Sequence, residues 1–143
     1  MAINSSYVVT MRSSLPLAAL FTAIPVTAGA EPAAQQLAAL QALQPGEWEL
    51  RSRNPSDAAI RLCAADLRQL LQPRHAGQSC PHFVVENAAR RAVVTYECAG
   101  SGQGRTSLRV ETARLVQVDS QGIASGLPFA LVMEGRRIGD CKS

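Results

Sequence analysis

The sequence predicts an α+β fold that is mainly antiparallel β: one curved sheet of six or seven short strands with one or two short helices, stapled by disulfides. Three observations lead there. Apolar and polar residues alternate with a period of two over most of the chain after Gly46, turn-forming clusters recur every ten residues or so, and four cysteines fall in a short exported segment.

The elements follow in order. Pro32 to Gln44 is rich in Ala, Leu and Gln, with Leu37, Leu40 and Leu43 three apart, and is expected as a short helix ended by Pro45-Gly46. Trp48 and Leu50 then alternate with Glu47, Glu49, Arg51 and Arg53, the pattern of a strand with one buried face. Asn54-Pro55-Ser56-Asp57 is a turn, Ala59–Cys63 a second strand, and Ala65–Gln72 a two-turn helix with Leu67, Leu70 and Leu71 inward. Pro73 stops it, and Pro73–Pro81 is expected as a polar loop.

The clearest hairpin joins His82–Asn87 to Arg91–Ala99, with Val94, Tyr96 and Cys98 on one face and Val93, Thr95 and Glu97 on the other. Gly100 to Gly104 turns the chain into a strand at Arg105–Thr112, and Leu115–Val118 is the next. Asp119-Ser120-Gln121-Gly122 is expected to turn again, leaving Phe129–Glu134 as the last strand before Arg136 to Cys141. Trp48, Tyr96 and Phe129 take inward positions and are expected as core.

The first thirty residues stand apart. Arg12 precedes an uncharged apolar run from Leu15 to Val26, and Ala28-Gly29-Ala30 follows as a small-residue cleavage pattern. Residues 1–30 are therefore expected as a signal peptide, cleaved before Glu31. About twelve apolar residues fall short of the roughly 20 that cross a bilayer. Met11 is an alternative start, since it places Arg12 beside the amino terminus. The remaining segment, residues 31–143, is expected as one domain burying roughly two thirds of its unfolded surface.

The formal charge of +3, reduced by one when Arg12 leaves, is too small to suggest nucleic acid as a partner. Cys63, Cys80, Cys98 and Cys141 imply two disulfides formed in an oxidising compartment. A zinc set of Cys63, His75, Cys80 and His82 lacks the tight spacing of structural sites. Counting outward from a turn at Ala89-Arg90 brings Cys98 opposite Pro81, one residue from Cys80. A shift of one residue makes Cys80 and Cys98 cross-strand neighbours, leaving Cys63 with Cys141. Pairing of Cys63 with Cys80 and Cys98 with Cys141 stays open, because turn geometry does not exclude it.

Candidate chemistry is sparse. Gly100-Ser101-Gly102-Gln103-Gly104 lacks the following helix of a phosphate loop. His75 and His82 have no nucleophile motif beside them, although His75, Glu86 and Ser101 form a scattered set from which a small hydrolase or isomerase is conceivable. Arg136, Arg137, Arg105 and Arg109 form a candidate anion patch, with Arg90, Arg91 and Arg114 nearby; a solvated face alternating with Glu97 and Glu111 is the simpler reading. No cofactor or catalytic motif is present. A non-enzymatic binding or accessory module is therefore the leading expectation, its partner a small ligand or another envelope protein, with a carrier of an apolar ligand as a further alternative.

Pro45-Gly46-Glu47-Trp48-Glu49 opening the first strand, a cysteine closing the second, the cysteine-flanked hairpin and the terminal Gly135-Arg136-Arg137-Ile138-Gly139-Asp140-Cys141 occur in a familiar order. Together, from about Leu43 to Cys141, they resemble the domain of unknown function 3617 family, small exported proteins of Gram-negative bacteria. The resemblance implies a periplasmic location and a cysteine-stapled β domain, and carries over no activity. The segment between Cys63 and Cys80, with Arg68, Gln72, Arg74 and His75, departs from that pattern.

Overall fold

The computed structural model describes residues 36–142, so the expected signal peptide and its cleavage point lie outside the described residues. Seven antiparallel strands form one open sheet: β1 (Gly46–Ser52), β2 (Ile60–Ala64), β3 (His82–Ala88), β4 (Arg91–Cys98), β5 (Gly102–Thr112), β6 (Leu115–Ala124) and β7 (Leu127–Gly139). Their spatial order is β2-β1-β7-β6-β5-β4-β3. Strands β3 to β7 run as a meander, and β7 then pairs with the first strand of the β1–β2 hairpin. This places β2 and β3, consecutive in the chain, at opposite edges. The segment joining them must therefore cross the whole sheet, and that crossing is what covers one face.

The crossing is built from two short 3₁₀ helices, Leu67–Leu71 and Pro73–His75, in place of the expected two-turn α-helix and polar loop. Asp66 caps the first by accepting from the backbone N–H of Arg68 at 3.0 Å. The ladder is i→i+3, from Gln69 N–H to the Asp66 carbonyl (3.0 Å) and from Gln72 N–H to that of Gln69 (3.3 Å). Pro73 cannot donate to prolong it, and tight 3₁₀ turns serve such short connectors. Leu70 and Leu71, adjacent in sequence, are both fully buried.

The N-terminal helix is likewise shorter than its sequence predicts. One turn, α1 (Ala38–Gln41), is all that the described residues contain, and residues 32–35 lie outside them. So short a helix is not stable alone and is held by tertiary contacts. Asn87 at the end of β3 accepts from the Ala38 N–H (2.8 Å) and donates to the Gln36 carbonyl (3.0 Å), while Leu37, Leu40 and Leu43 are buried.

Alternation along the strands separates an inner face, covered by α1 and the 3₁₀ segment, from an outer face left open. Trp48, Leu50, Leu62, Val94, Leu108, Val116, Val118 and Met133 fill the inner side together with Leu70 and Leu71. Each such side chain contributes about 1.5–3 kcal/mol on burial. Together these side chains form one continuous buried core.

Strands β5, β6 and β7 are longer than expected. Asp119, Ser120, Gln121 and Gly122 do not turn the chain: they pair with Ser107 to Gly104 on one side and Val132 to Phe129 on the other. The turn comes at Ser125-Gly126, both with positive φ (50° and 79°) as a two-residue type I′ hairpin requires. Likewise Arg136 to Gly139 continue β7, paired with β1.

The β3–β4 hairpin holds a bulge that sequence counting did not contain. From the turn Ala88 faces Arg91, but Val85 is unpaired, so Val84 meets Val94 and His82 meets Tyr96. The one-residue shift brings Cys80 opposite Cys98, and the two are disulfide-bonded with Cα atoms 4.7 Å apart. Cys63 pairs with Cys141 at 5.4 Å.

Candidate functional site

Below the sheet, at the β3–β6 end, lies a buried polar cluster. His75 is 2 % exposed; its Nδ1 lies 3.1 Å from the Tyr96 hydroxyl and its Nε2 3.1 Å from the Ser101 carbonyl. A carbonyl only accepts, so Nε2 carries the proton and Nδ1 accepts from Tyr96. Ser120 hydrogen-bonds to Thr106 (2.7 Å), both at the centre of the sheet. Burial pushes the Tyr96 hydroxyl above its ordinary pKa. Gln72, also buried, donates to the carbonyls of His75 (2.8 Å) and Gln78 (2.6 Å), closing the crossing segment on itself.

This cluster is saturated and closed, with Thr106 and Ser120 wholly buried. His75 and Ser101 do meet, but through the serine's backbone carbonyl, while Glu86 stands on the outer face paired with Arg91 (3.1 Å). The scattered set of His75, Glu86 and Ser101 is not assembled. His82 packs against Tyr96 with ring centroids 5.8 Å apart; burial, then the charge of Arg68, holds its pKa low. Cys63 and Cys80 are committed to separate disulfides. Gly100 to Gly104 divides into a tight turn at Ala99 to Ser101, with Gly100 at φ 72°, and the start of β5. Phe129, expected as core, is only half-buried and sits edge-on to His75 at 6.2 Å.

The four arginines of the expected anion patch do not converge. Arg136 is held by Glu134 (2.7 Å) and Arg109 by Glu111 (2.6 Å), each on its own strand. Arg137 turns to the other side of β7, where its largely buried guanidinium donates to the Pro45 carbonyl (2.8 Å) and pairs with Asp140. Of these four, Arg105 alone has no carboxylate partner among the described residues.

Arg105 marks what the sequence reading missed. On the outer face, strands β3 to β6 bound an open groove of about 620 Å³. Cross-strand pairing sets Phe83, Thr95, Arg105 and Gln121 in one row and Glu97, Gln103 and Ile123 in the next. Phe83 is 63 % exposed and Ile123 37 %. The polar side chains of both rows make no hydrogen bond or ion pair with other described residues, although five such pairs lace the rest of this face. Beneath the groove Gly104 and Gly122 face each other, and a Cβ on Gly104 would strike the Tyr96 ring at 2.6 Å, so the glycine lets that ring pack against the inner side of the sheet. Sequence alternation alone does not reveal this groove, because Ile123 falls beyond the strand expected at Leu115–Val118 and joins β6 only in the folded sheet.

Comparison of the chain with protein-family models, with curated proteins and with solved structures finds no match in any of the three.

Proposed function

We propose that the protein is a non-enzymatic binding module of the cell envelope, related to the domain of unknown function 3617 family, exported by residues 1–30 and acting in the periplasm through its outer-face groove. One observation carries the binding role: exposed Phe83 and Ile123 stand beside Glu97, Gln103, Arg105 and Gln121, whose side chains make no hydrogen bond or ion pair with other described residues. Polar side chains with spare hydrogen-bonding capacity around apolar contact area are the composition of ligand sites. A module of this kind is further supported by the burial of His75, both of whose ring nitrogens are hydrogen-bonded within the fold. Export is supported by the two disulfides, which persist in oxidising compartments. No helix among the described residues is long and apolar enough to cross a membrane.

Native mass spectrometry of protein recovered from the periplasm tests both parts. The expected species begins at Glu31 and carries a bound molecule that a Phe83→Ala/Arg105→Gln double variant loses. Retention of residues 1–30 overturns the export reading; the same cargo, or none, on both proteins overturns the groove.

A further inference from the structure

We propose that the groove binds a neutral, linear oligosaccharide, an inference that rests on the groove being the binding face and adds its ligand class. A sugar ring presents two kinds of surface: flat patches of C–H groups and a rim of hydroxyls, each both donor and acceptor. Its complement is an open surface bearing an exposed aromatic ring and planar polar side chains with unfilled valences.

The groove has those parts. Phe83 offers an aromatic face at the sheet edge, 63 % exposed and held on β3 opposite Thr95. Gln103 and Gln121 each carry two amide donors and an acceptor oxygen, Arg105 five donors in a fixed fork, and Glu97 two acceptor oxygens. These side chains stand in adjacent rows of β4, β5 and β6, so donors and acceptors alternate across the floor. Such a constellation matches vicinal hydroxyls, which take one bond from an amide N–H and give one to a carboxylate or amide oxygen.

Charge and shape narrow the class. Arg105 lies between Glu97 in one neighbouring row and Asp119 in the other, so the groove has no positive excess to attract phosphate, nucleic acid or an acidic glycan. Its openness would leave much of an alkyl chain in water, which reduces what such a ligand gains on binding. Arg105 and Gln121 are shared with a second depression of about 260 Å³ that also takes in Ser107, Asp119 and Arg91, the last neutralised by Glu86 at 3.1 Å. Two linked depressions along the strand direction accommodate successive rings of a linear chain.

The test is amide-resolved NMR titration of the exported, ¹⁵N-labelled protein with cellotetraose, chitotetraose, tetragalacturonate and laurate as probes. At least one neutral tetrasaccharide is expected to move the amides of residues 103–105 and 121–123 saturably, with tetragalacturonate weaker and laurate silent. Phe83→Ala should weaken that binding about tenfold, the loss of one stacking contact, and Gln121→Ala several-fold; both positions are exposed, and unchanged spectral dispersion verifies the fold. Neutral probes that leave these amides still up to about 10 mM, the weak end of measurable affinity, overturn the oligosaccharide. If laurate or tetragalacturonate moves them instead, the ligand class falls while the groove stands. Binding that survives both substitutions places the sugar elsewhere and overturns the proposal.

Discussion

The two ends of the outer face are made by one sheet, yet their polar residues behave differently. Over β2, β1 and β7 the charges other than Glu47 are consumed internally: Glu49 is clamped by Arg51 and Arg61, each at 2.7 Å, and Glu134 is held by Arg136 with Gln117 at 3.3 Å. The Glu49 carboxyl is held below the ordinary range, first by its hydrogen bond from Arg61 and then by that from Arg51; Glu134 is lowered chiefly by Arg136. Over β3 to β6, Glu97, Gln103, Arg105 and Gln121 have comparable neighbours within reach and pair with none of the described residues. Exposed apolar residues on a protein surface are ordinary. Their coincidence with polar side chains that pair with none of the described residues is what sets the groove apart from the rest of this face.

Each end also has a disulfide, and cutting them is the largest perturbation available. Cys63–Cys141 spans 78 residues and Cys80–Cys98 spans 18. The chain-entropy account gives about 4.5 kcal/mol for the first and about 3 kcal/mol for the second. Denaturant melts of the Cys63→Ser/Cys141→Ser and Cys80→Ser/Cys98→Ser variants should fall in that order. Cys63 is exposed whereas Cys80 and Cys98 are buried beside Tyr96, so mild reductant followed by alkylation and peptide mapping should label Cys63 and Cys141 first. Prior labelling of Cys80, or a linked Cys63–Cys80 peptide, breaks the comparison at its base.

A smaller effect probes the support of the groove floor. Tyr96→Phe keeps the ring under Gly104 but deprives His75 Nδ1 of its donor in a buried site. The expected cost is about 1–3 kcal/mol, read as a lower denaturation midpoint with unchanged slope. A neutral outcome means that the phenol–imidazole bond does not hold the crossing segment in place.

The smallest effect compares the two ends directly. Because Glu49 has a lowered folded pKa, its contribution is present above the unfolded glutamate value of about 4.3 and is lost as pH falls through the folded value. Glu49→Gln should therefore lower the melting temperature slightly at pH 7, with the difference from wild type closing below about pH 4.3. Glu97→Gln, which removes no internal partner, should leave the melting temperature unchanged at both. A larger loss from Glu97→Gln than from Glu49→Gln would reverse the assignment of saturated and unsaturated ends.

What the sequence determined by itself is local. Alternation around Trp48, Val94 and Leu108 is enough to name strands and their inward residues, because side-chain direction in a strand depends only on parity. Cysteine parity likewise implies disulfides, and the hairpin register narrows Cys80 to Cys98 within one residue. Other features depend on residues far apart in the chain. The bulge at Val85 that completes the register, the passage of Asp119 to Gly122 straight through β6, and the 3₁₀ crossing are set by partners across the sheet, which outweigh local turn and helix preferences. The groove belongs to the same class: Phe83, Glu97, Arg105 and Ile123 come from four strands, and only pairing of those strands makes them neighbours. Whether a polar side chain is satisfied is a property of its surroundings in space, so the tertiary structure alone distinguished Glu49 from Glu97.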